Sequence, residues 1–318
     1  MELDPTRLLS RRDALSMGLA DHEIRALRTS GGWRTLHHGN YIGADHSDSL
    51  DARSTHRLLI DAVLPTLSDK AVVSHESAAI LHGLPLYGVD LSRVHVTRDR
   101  RGGGRTSKGV VTHCSPLGEV VIVDGFRTTT LARTLVDIAR TMSLDTAVVL
   151  GDVAMRHGAS LDEVAEELER ARRWQGIASA RRVADMVDAR SESVAESLSR
   201  IRLHQHGFRD VELQVEVRDP RGRFLGRSDF GVTPAVMGEC DGKVKYGKFL
   251  RPGQDPGDAV FEEKKREDSI RDTGLQVVRW TWSEIFTFDV VVDRIRRAIV
   301  RAENSPKPTA SVRPGKLR

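Results

Sequence analysis

Three carboxylates stand inside what otherwise reads as a pair of apolar strands. In the stretch GRSDFGVTPAVMGECDGKVKYGK, from Gly226 to Lys248, Asp229, Glu239 and Asp241 interrupt two runs that flank the turn pair Thr233-Pro234. Such runs around a turn read as a hairpin, and a centre near Pro234 sets Asp229 opposite Glu239. Side chains alternate along a strand, so Asp241 falls on the face of Glu239. Three like charges on one covered sheet face repel unless a cation lies among them. Oxygen-only ligands favour Mg²⁺ or Mn²⁺ over zinc. A metal held between neighbouring strands activates water and stabilises charge on a phosphodiester. The expected metal ligands are therefore Asp229, Glu239 and Asp241. The simpler alternative is an edge strand whose acids face solvent, but the neighbours Phe230, Val232, Val236 and Met237 argue for a covered sheet.

The elements that must position these acids follow in order. ESVAESLSRIRLHQHGF reads as a helix ending at Gly207, and VELQVEV, RFLGRSDFGV and AVMGECDG as three strands. A loop rich in Gly and Pro, the helix DAVFEEKKREDSIRDTG and the strand LQVVRWTW complete the set. Alternating charges on the helix from Asp258 to Thr273 read as a solvated, self-paired face. Trp280 and Trp282 read as core. The tail from Glu303, with Pro, Ser and basic residues and no apolar period, reads as disordered.

These five segments, over roughly residues 191 to 290, resemble the PD-(D/E)XK nuclease superfamily and, within it, the very-short-patch-repair-like endonucleases. The resemblance implies a restriction-endonuclease-like α/β/α domain that cuts DNA with Mg²⁺. It makes Asp229 and Glu239 metal ligands and Glu196 a third carboxylate supplied by the first helix. Asp241 stands where the superfamily has its lysine, which leaves two readings open. Either a lysine from the following helix, Lys264, orients the attacking water and steadies the phosphate, or the fold has lost its activity. Arg266 and Arg279 read equally as phosphate holders and as ion-pair partners.

The front of the chain points to DNA by a separate route. Ser10 caps a first helix that Gly18 ends, and Asp21 caps a second that runs to about Thr29. WRTLHHGNYIG then reads as a hairpin around His38-Gly39-Asn40. Two helices at a tight turn and a hairpin describe a winged helix, whose second helix enters the major groove. Its DNA contacts would come from His22, Arg25 and Arg28, with Arg34 on the wing. A protein-interaction domain is the alternative.

Residues 55 to 140 alternate short strands and helices, including AVVSHESAAILHGLPL, SRVHVTR and KGVVTHC. The basic loop RDRRGGGRTSKG lacks the ending of a nucleotide-binding loop and reads as a hairpin tip. Residues 129 to 206 read as packing helices, with Glu163, Glu166, Glu167 and Glu169 on a water-facing surface. Residues 6 to about 160, through RRDALSMGL, GGWRTLHHGNYI, VSHESAAILHGLPL and FRTTTLARTLVDIA, resemble the AbiEi-like antitoxins and transcriptional regulators of type IV toxin–antitoxin systems. That resemblance implies a winged helix joined to a second α/β domain, and a toxin or other protein as partner.

The expected fold is thus a multidomain α/β (α+β) chain: a winged helix over 1–45, an α/β domain with helices over 46–190, a nuclease-like domain over 191–302 and a tail over 303–318. A length of 318 residues suits two or three cores. No apolar run approaches the roughly 18 residues of a membrane span, and the charged amino terminus lacks the apolar stretch of a signal peptide. Cytoplasm is the expected location and double-stranded DNA the expected partner. The net charge of +4 permits nucleic-acid binding without requiring it. Cys114 and Cys240 alone support neither a disulfide framework nor a cysteine zinc site.

Overall fold

The computed structural model describes residue 4 and residues 6–86, 88–241 and 268–315. It is a mixed α/β chain with three sheets, and it divides into two compact units, Met1–Asp185 and Met186–Arg318. The expected boundary at residue 45 does not separate compact units. Asn40 Nδ2 donates to the carbonyl of Ala62, and the wing strand packs against the helix that carries Ala62.

The first unit opens with β1 (Leu9–Ser10), α1 (Arg11–Ser16), α2 (Asp21–Thr29), β2 (Trp33–His37) and β3 (Asn40–Gly43). Ser10 closes a capping box with Asp13, and Gly18 turns the chain at φ +95°, a conformation that costs glycine little. Asp21 is the first residue of α2 rather than its cap. Glu23 supplies the capping contact by accepting from the Ala20 N–H at 2.7 Å, and Asp21 instead pairs with Arg11. The sheet order β1-β3-β2 makes the hairpin a wing. Leu9, Ala14, Ile24 and Tyr41 form its core.

Next come α3 (Ala44–Ser49), α4 (Ala52–Val63), β4 (Val72–Val73), α5 (His75–Leu81), β5 (Val94–Arg98), β6 (Arg105–Ser107), β7 (Val110–Cys114), β8 (Val120–Val123) and β9 (Phe126–Thr129). Their six-stranded sheet has the order β6-β7-β5-β4-β9-β8, with β5 and β7 parallel. The arginine-rich loop is in part the strand β6, paired antiparallel with β7. Four helices follow: α6 (Leu131–Thr141), α7 (Leu144–Arg156), α8 (Leu161–Arg170) and α9 (Ile177–Ala184). Eight consecutive residues of α6, Ala132 to Ala139, are buried. Of the four acids expected on a water-facing surface, Glu163, Glu166 and Glu169 are exposed but Glu167 is buried. Glu167 turns inward to Arg170 at 3.0 Å and Arg133 at 3.8 Å.

The second unit contains α10 (Val194–Gln205), β10 (Glu212–Arg218), β11 (Phe224–Thr233), β12 (Val236–Asp241), β13 (Gln276–Thr281), α11 (Asp289–Glu303) and β14 (Ser311–Pro314). The order β13-β12-β11-β10-β14 is antiparallel except for the parallel pair β12/β13. Over its described residues, 303–315, the tail is not the disordered segment expected. Residues 311–314 pair with 215–218 at the edge of the sheet, because Val312 reaches the apolar cluster of Val215, Val217 and Met237. Among the described residues no helix is long and apolar enough to cross a membrane.

Candidate functional site

The pairing of Phe230 with Gly238 fixes the hairpin register of β11 and β12. One residue further along, Asp229 stands beside the Glu239–Cys240 step, and its Oδ2 accepts the Cys240 N–H at 2.9 Å. Glu239 is buried, and Arg279 on the parallel neighbour β13 reaches its Oε2 at 2.8 Å. Asp241 closes β12 with its side chain exposed. Two residues along a strand is about 6.6 Å, so Asp241 shares the face of Glu239 without sharing its position. Asp229, Glu239 and Asp241 do not form a group whose ligand atoms all lie within 4.8 Å of one another.

The sequence expectation of three converging ligands is therefore corrected to two acids on adjacent strands and a third displaced along the sheet. The donor chemistry of Asp229 and Glu239 still fits a hard divalent cation, which keeps several waters where protein supplies few ligands.

Glu196 has a structural task. Its Oε1 accepts from Ser193 Oγ at 2.8 Å, and its Oε2 accepts from the Glu192 N–H at 2.8 Å and from Gln214 Nε2 at 2.7 Å. These contacts cap α10 and tie it to β10, and they occupy both carboxylate oxygens. The neighbourhood is nonetheless electronegative. Burial, together with the charges of Asp229, Glu196 and Asp241, pushes the Cys240 thiol up to about 11, against a hydrogen bond with Ser199. Lys264 lies outside the described residues, as do Arg266, Lys243 and Lys245.

On α2, His22, Arg25 and Arg28 are exposed while Ile24 faces the core. Arg28 Nε donates to Thr35 Oγ1 at 3.1 Å, and its guanidinium lies 5.7 Å from the Tyr41 ring centroid, linking the helix to the wing. Arg34 is exposed on β2 with Asp48 3.3 Å away. His22, Arg25 and Arg28 thus stand on the outer side of α2, while Arg34, next to Thr35 on β2, projects from the opposite face of that strand toward Asp48.

A third site was missed by sequence reasoning. A cavity of about 570 Å³ in the first unit is lined by His75, His113, Asp137, Arg140, Trp174 and arginines of the 100–105 loop. His75 heads α5 with φ +51°, a strained value for a residue with a side chain. Its ring stacks on His113 with centroids 3.7 Å apart. Burial, and then the neighbouring His113, hold His75 well below the ordinary histidine range. Burial, and then His95, lower His113 to about 4. Asp137 is fully buried between Arg133 (2.9 Å) and Arg140 (3.3 Å), and burial raises its pKa against both cations. Arg133 and Arg140 both lie over Trp174. The histidines are scattered over 39 positions of sequence, from 75 to 113. Only the parallel pairing of β5 with β7, which no local pattern encodes, brings His95 and His113 to one sheet face.

No family model matches the chain, and no curated protein matches its sequence. Among solved structures, one similar chain is the RV2827C protein from Mycobacterium tuberculosis. It is 14% identical, with 61% of this chain and 75% of that chain covered and a TM-score of 0.38.

Proposed function

We propose that this chain is a cytoplasmic DNA-binding protein whose second unit hydrolyses phosphodiesters with Mg²⁺. The observation that carries the reading is the placement of Asp229 beside Glu239 across β11 and β12, in a domain ordered helix, three strands, helical residues 268–271, strand. That order is the one the nuclease resemblance implies. Mg²⁺ bound there would activate water and screen the phosphate charge. Asp229 and Glu239 would hold it, Asp229 being steadied by the Cys240 N–H and Glu239 by Arg279. The first unit would hold duplex DNA through His22, Arg25, Arg28 and Arg34, in a phage-defence or toxin–antitoxin setting.

Cleavage of supercoiled plasmid and of branched or mismatched duplexes, in Mg²⁺ and in Mn²⁺, tests the assignment with Asp229→Ala alongside. Metal-dependent nicking that disappears in the variant supports it. A second reading, a regulator or antitoxin built on an inactive nuclease fold, draws on the same geometry, since Asp241 is displaced and Glu239 is already neutralised by Arg279. DNA binding by wild type and variant alike, with no cleavage by either, would favour that second reading.

A further inference from the structure

The cluster around His75 in the first unit is unrelated to the carboxylate face of the second. Among the described residues, His75, His95 and His113 are the one group of three or more His, Cys, Asp or Glu whose ligand atoms all lie within 4.8 Å of one another. His95 Nδ1 is 3.1 Å from His113 Nε2. A carboxylate from the helix above lies against His95. Glu76 is buried, and its Oε2 lies 2.9 Å from the same His95 Nδ1, an ion-pair partner on the strand below.

Tetrahedral donors at about 2.0–2.2 Å from a metal stand roughly 3.3–3.5 Å apart. The spacings around His95 are already near that value. The fold holds the donors from two directions. His95 and His113 project from one face of the parallel pair β5/β7, and His75 and Glu76 descend from the first turn of α5, which packs on that face. The His75 backbone that presents its ring to the cluster is held at φ +51°, a strained conformation of the kind found at ligand clamps. A cation held among the three rings would give that strain a function.

We propose that His75, His95 and His113 form a binding site for one divalent transition-metal ion of the Zn²⁺ type, with the Glu76 carboxylate beside His95. Three imidazoles match Zn²⁺, Co²⁺ or Ni²⁺, with water completing the shell, and do not suit Mg²⁺ or Ca²⁺. Because His75 and His113 also line the arginine-walled cavity, the ion would be reachable from it. Ser74 Oγ, 3.0 Å from His75 Nδ1, stands where an outer group would orient that ring.

The full-length protein, stripped with chelator and dialysed, is titrated with Zn²⁺ alone and with Co²⁺ alone. The expected result is about one equivalent bound, a rise in melting temperature with Zn²⁺, and visible Co²⁺ bands of a four-coordinate nitrogen–oxygen site. His113→Gln should abolish stoichiometric uptake, and Glu76→Gln should weaken affinity about tenfold or more. Histidine ring signals in nitrogen-15 spectra of the wild type supply a check independent of variant folding. Zn²⁺ should shift three of the 12 histidines. Substoichiometric uptake by the wild type, shifts confined to other histidines, or uptake retained in a folded His113→Gln would each overturn the proposal. None of these outcomes depends on nuclease activity.

Discussion

Arg279 grips Glu239 through two nitrogens, Nε at 2.9 Å and Nη2 at 2.8 Å, across the parallel pair of β12 and β13. The carboxylate is almost wholly covered while the guanidinium is about a third open to solvent. Solvent screening therefore limits what the pair contributes to stability, and its larger effect is on where Glu239 points. Arg279→Met should lower metal-dependent nicking about tenfold or more while costing roughly 1–2 kcal/mol of stability. Nicking rates at saturating Mg²⁺, set beside urea unfolding midpoints, separate these effects. An unchanged rate would remove Arg279 as a positioning residue.

Gly238 is the close approach on the other face of the same strand. A Cβ there would meet Trp280 Cη2 at 2.6 Å and Phe230 Cβ at 3.3 Å. Trp280 has little room to retreat, because its Nε1 donates to Ser199 Oγ at 2.8 Å and its ring packs between Phe230 and Phe288. Gly238→Ala is expected to destabilise the second unit by about 1–3 kcal/mol through overpacking. Chemical denaturation followed by tryptophan fluorescence reads this directly, and a neutral result would mean that the ring yields more easily than its contacts imply.

The residues involved show which parts of the molecule were legible in the sequence. Ser10, Gly18 and the His38-Gly39 turn act locally, and the first helix and the wing stand where they put them. The hairpin of β11 and β12 was legible for the same reason, its register being set by Thr233-Pro234. What escaped depends on distant partners. Val312 becomes a strand residue because β10 offers an unpaired edge 95 positions earlier, at Val217, and the tail's composition carries no trace of that edge. Glu167 is inward-facing because Arg133 on another helix meets it. The histidine cluster needs two strands and a helix to be in place before it exists.

Arg25 is exposed on α2, with Ile24 beside it fixing the helix to the core. If this face tracks a phosphate backbone, Arg25→Ala should weaken duplex binding about equally across sequences and reduce the salt slope by about one. Arg28→Ala should cost more, because it also frees the wing held through Thr35. Binding isotherms between about 50 and 200 mM salt give both numbers. A slope unchanged by Arg25→Ala would place the DNA elsewhere or favour a protein partner for this surface.

Acid should weaken the first unit through histidines buried as neutral rings. His56 is held by the Leu91 carbonyl at 2.7 Å and Ser77 Oγ at 2.9 Å, and His82 by the Thr129 carbonyl at 2.7 Å. Burial is the main cause that lowers both pKa values below the unfolded value of 6.5. The unfolded chain then binds more protons than the native one as pH falls through that value. Stability is complete above about 6.5 and declines below it until the folded-state values are passed. Urea midpoints should therefore fall between about pH 7.5 and 5, and His56→Gln should flatten part of that slope. A midpoint that rose with acidification would contradict the sign.

The strand β14 tests whether the tail completes the second unit or merely rests on it. Residues 311–314 pair with 215–218, and Val312 joins the cluster of Val215, Val217, Met237 and Leu275. The chain reaches this edge through Thr309, whose N–H donates to the Thr273 carbonyl at 2.8 Å and whose Oγ1 lies 3.4 Å from the same oxygen. Truncation after Ser305 removes one ladder of the sheet and uncovers β10, and an exposed strand edge invites pairing with a second chain. Losing the partly buried Val312 together with its ladder should destabilise the unit by about 2–3 kcal/mol. The truncated protein is expected to unfold at lower urea and to elute partly as dimers or larger species in size-exclusion chromatography. A truncated chain as stable and as monodisperse as the full one would show that β10 closes the sheet unaided.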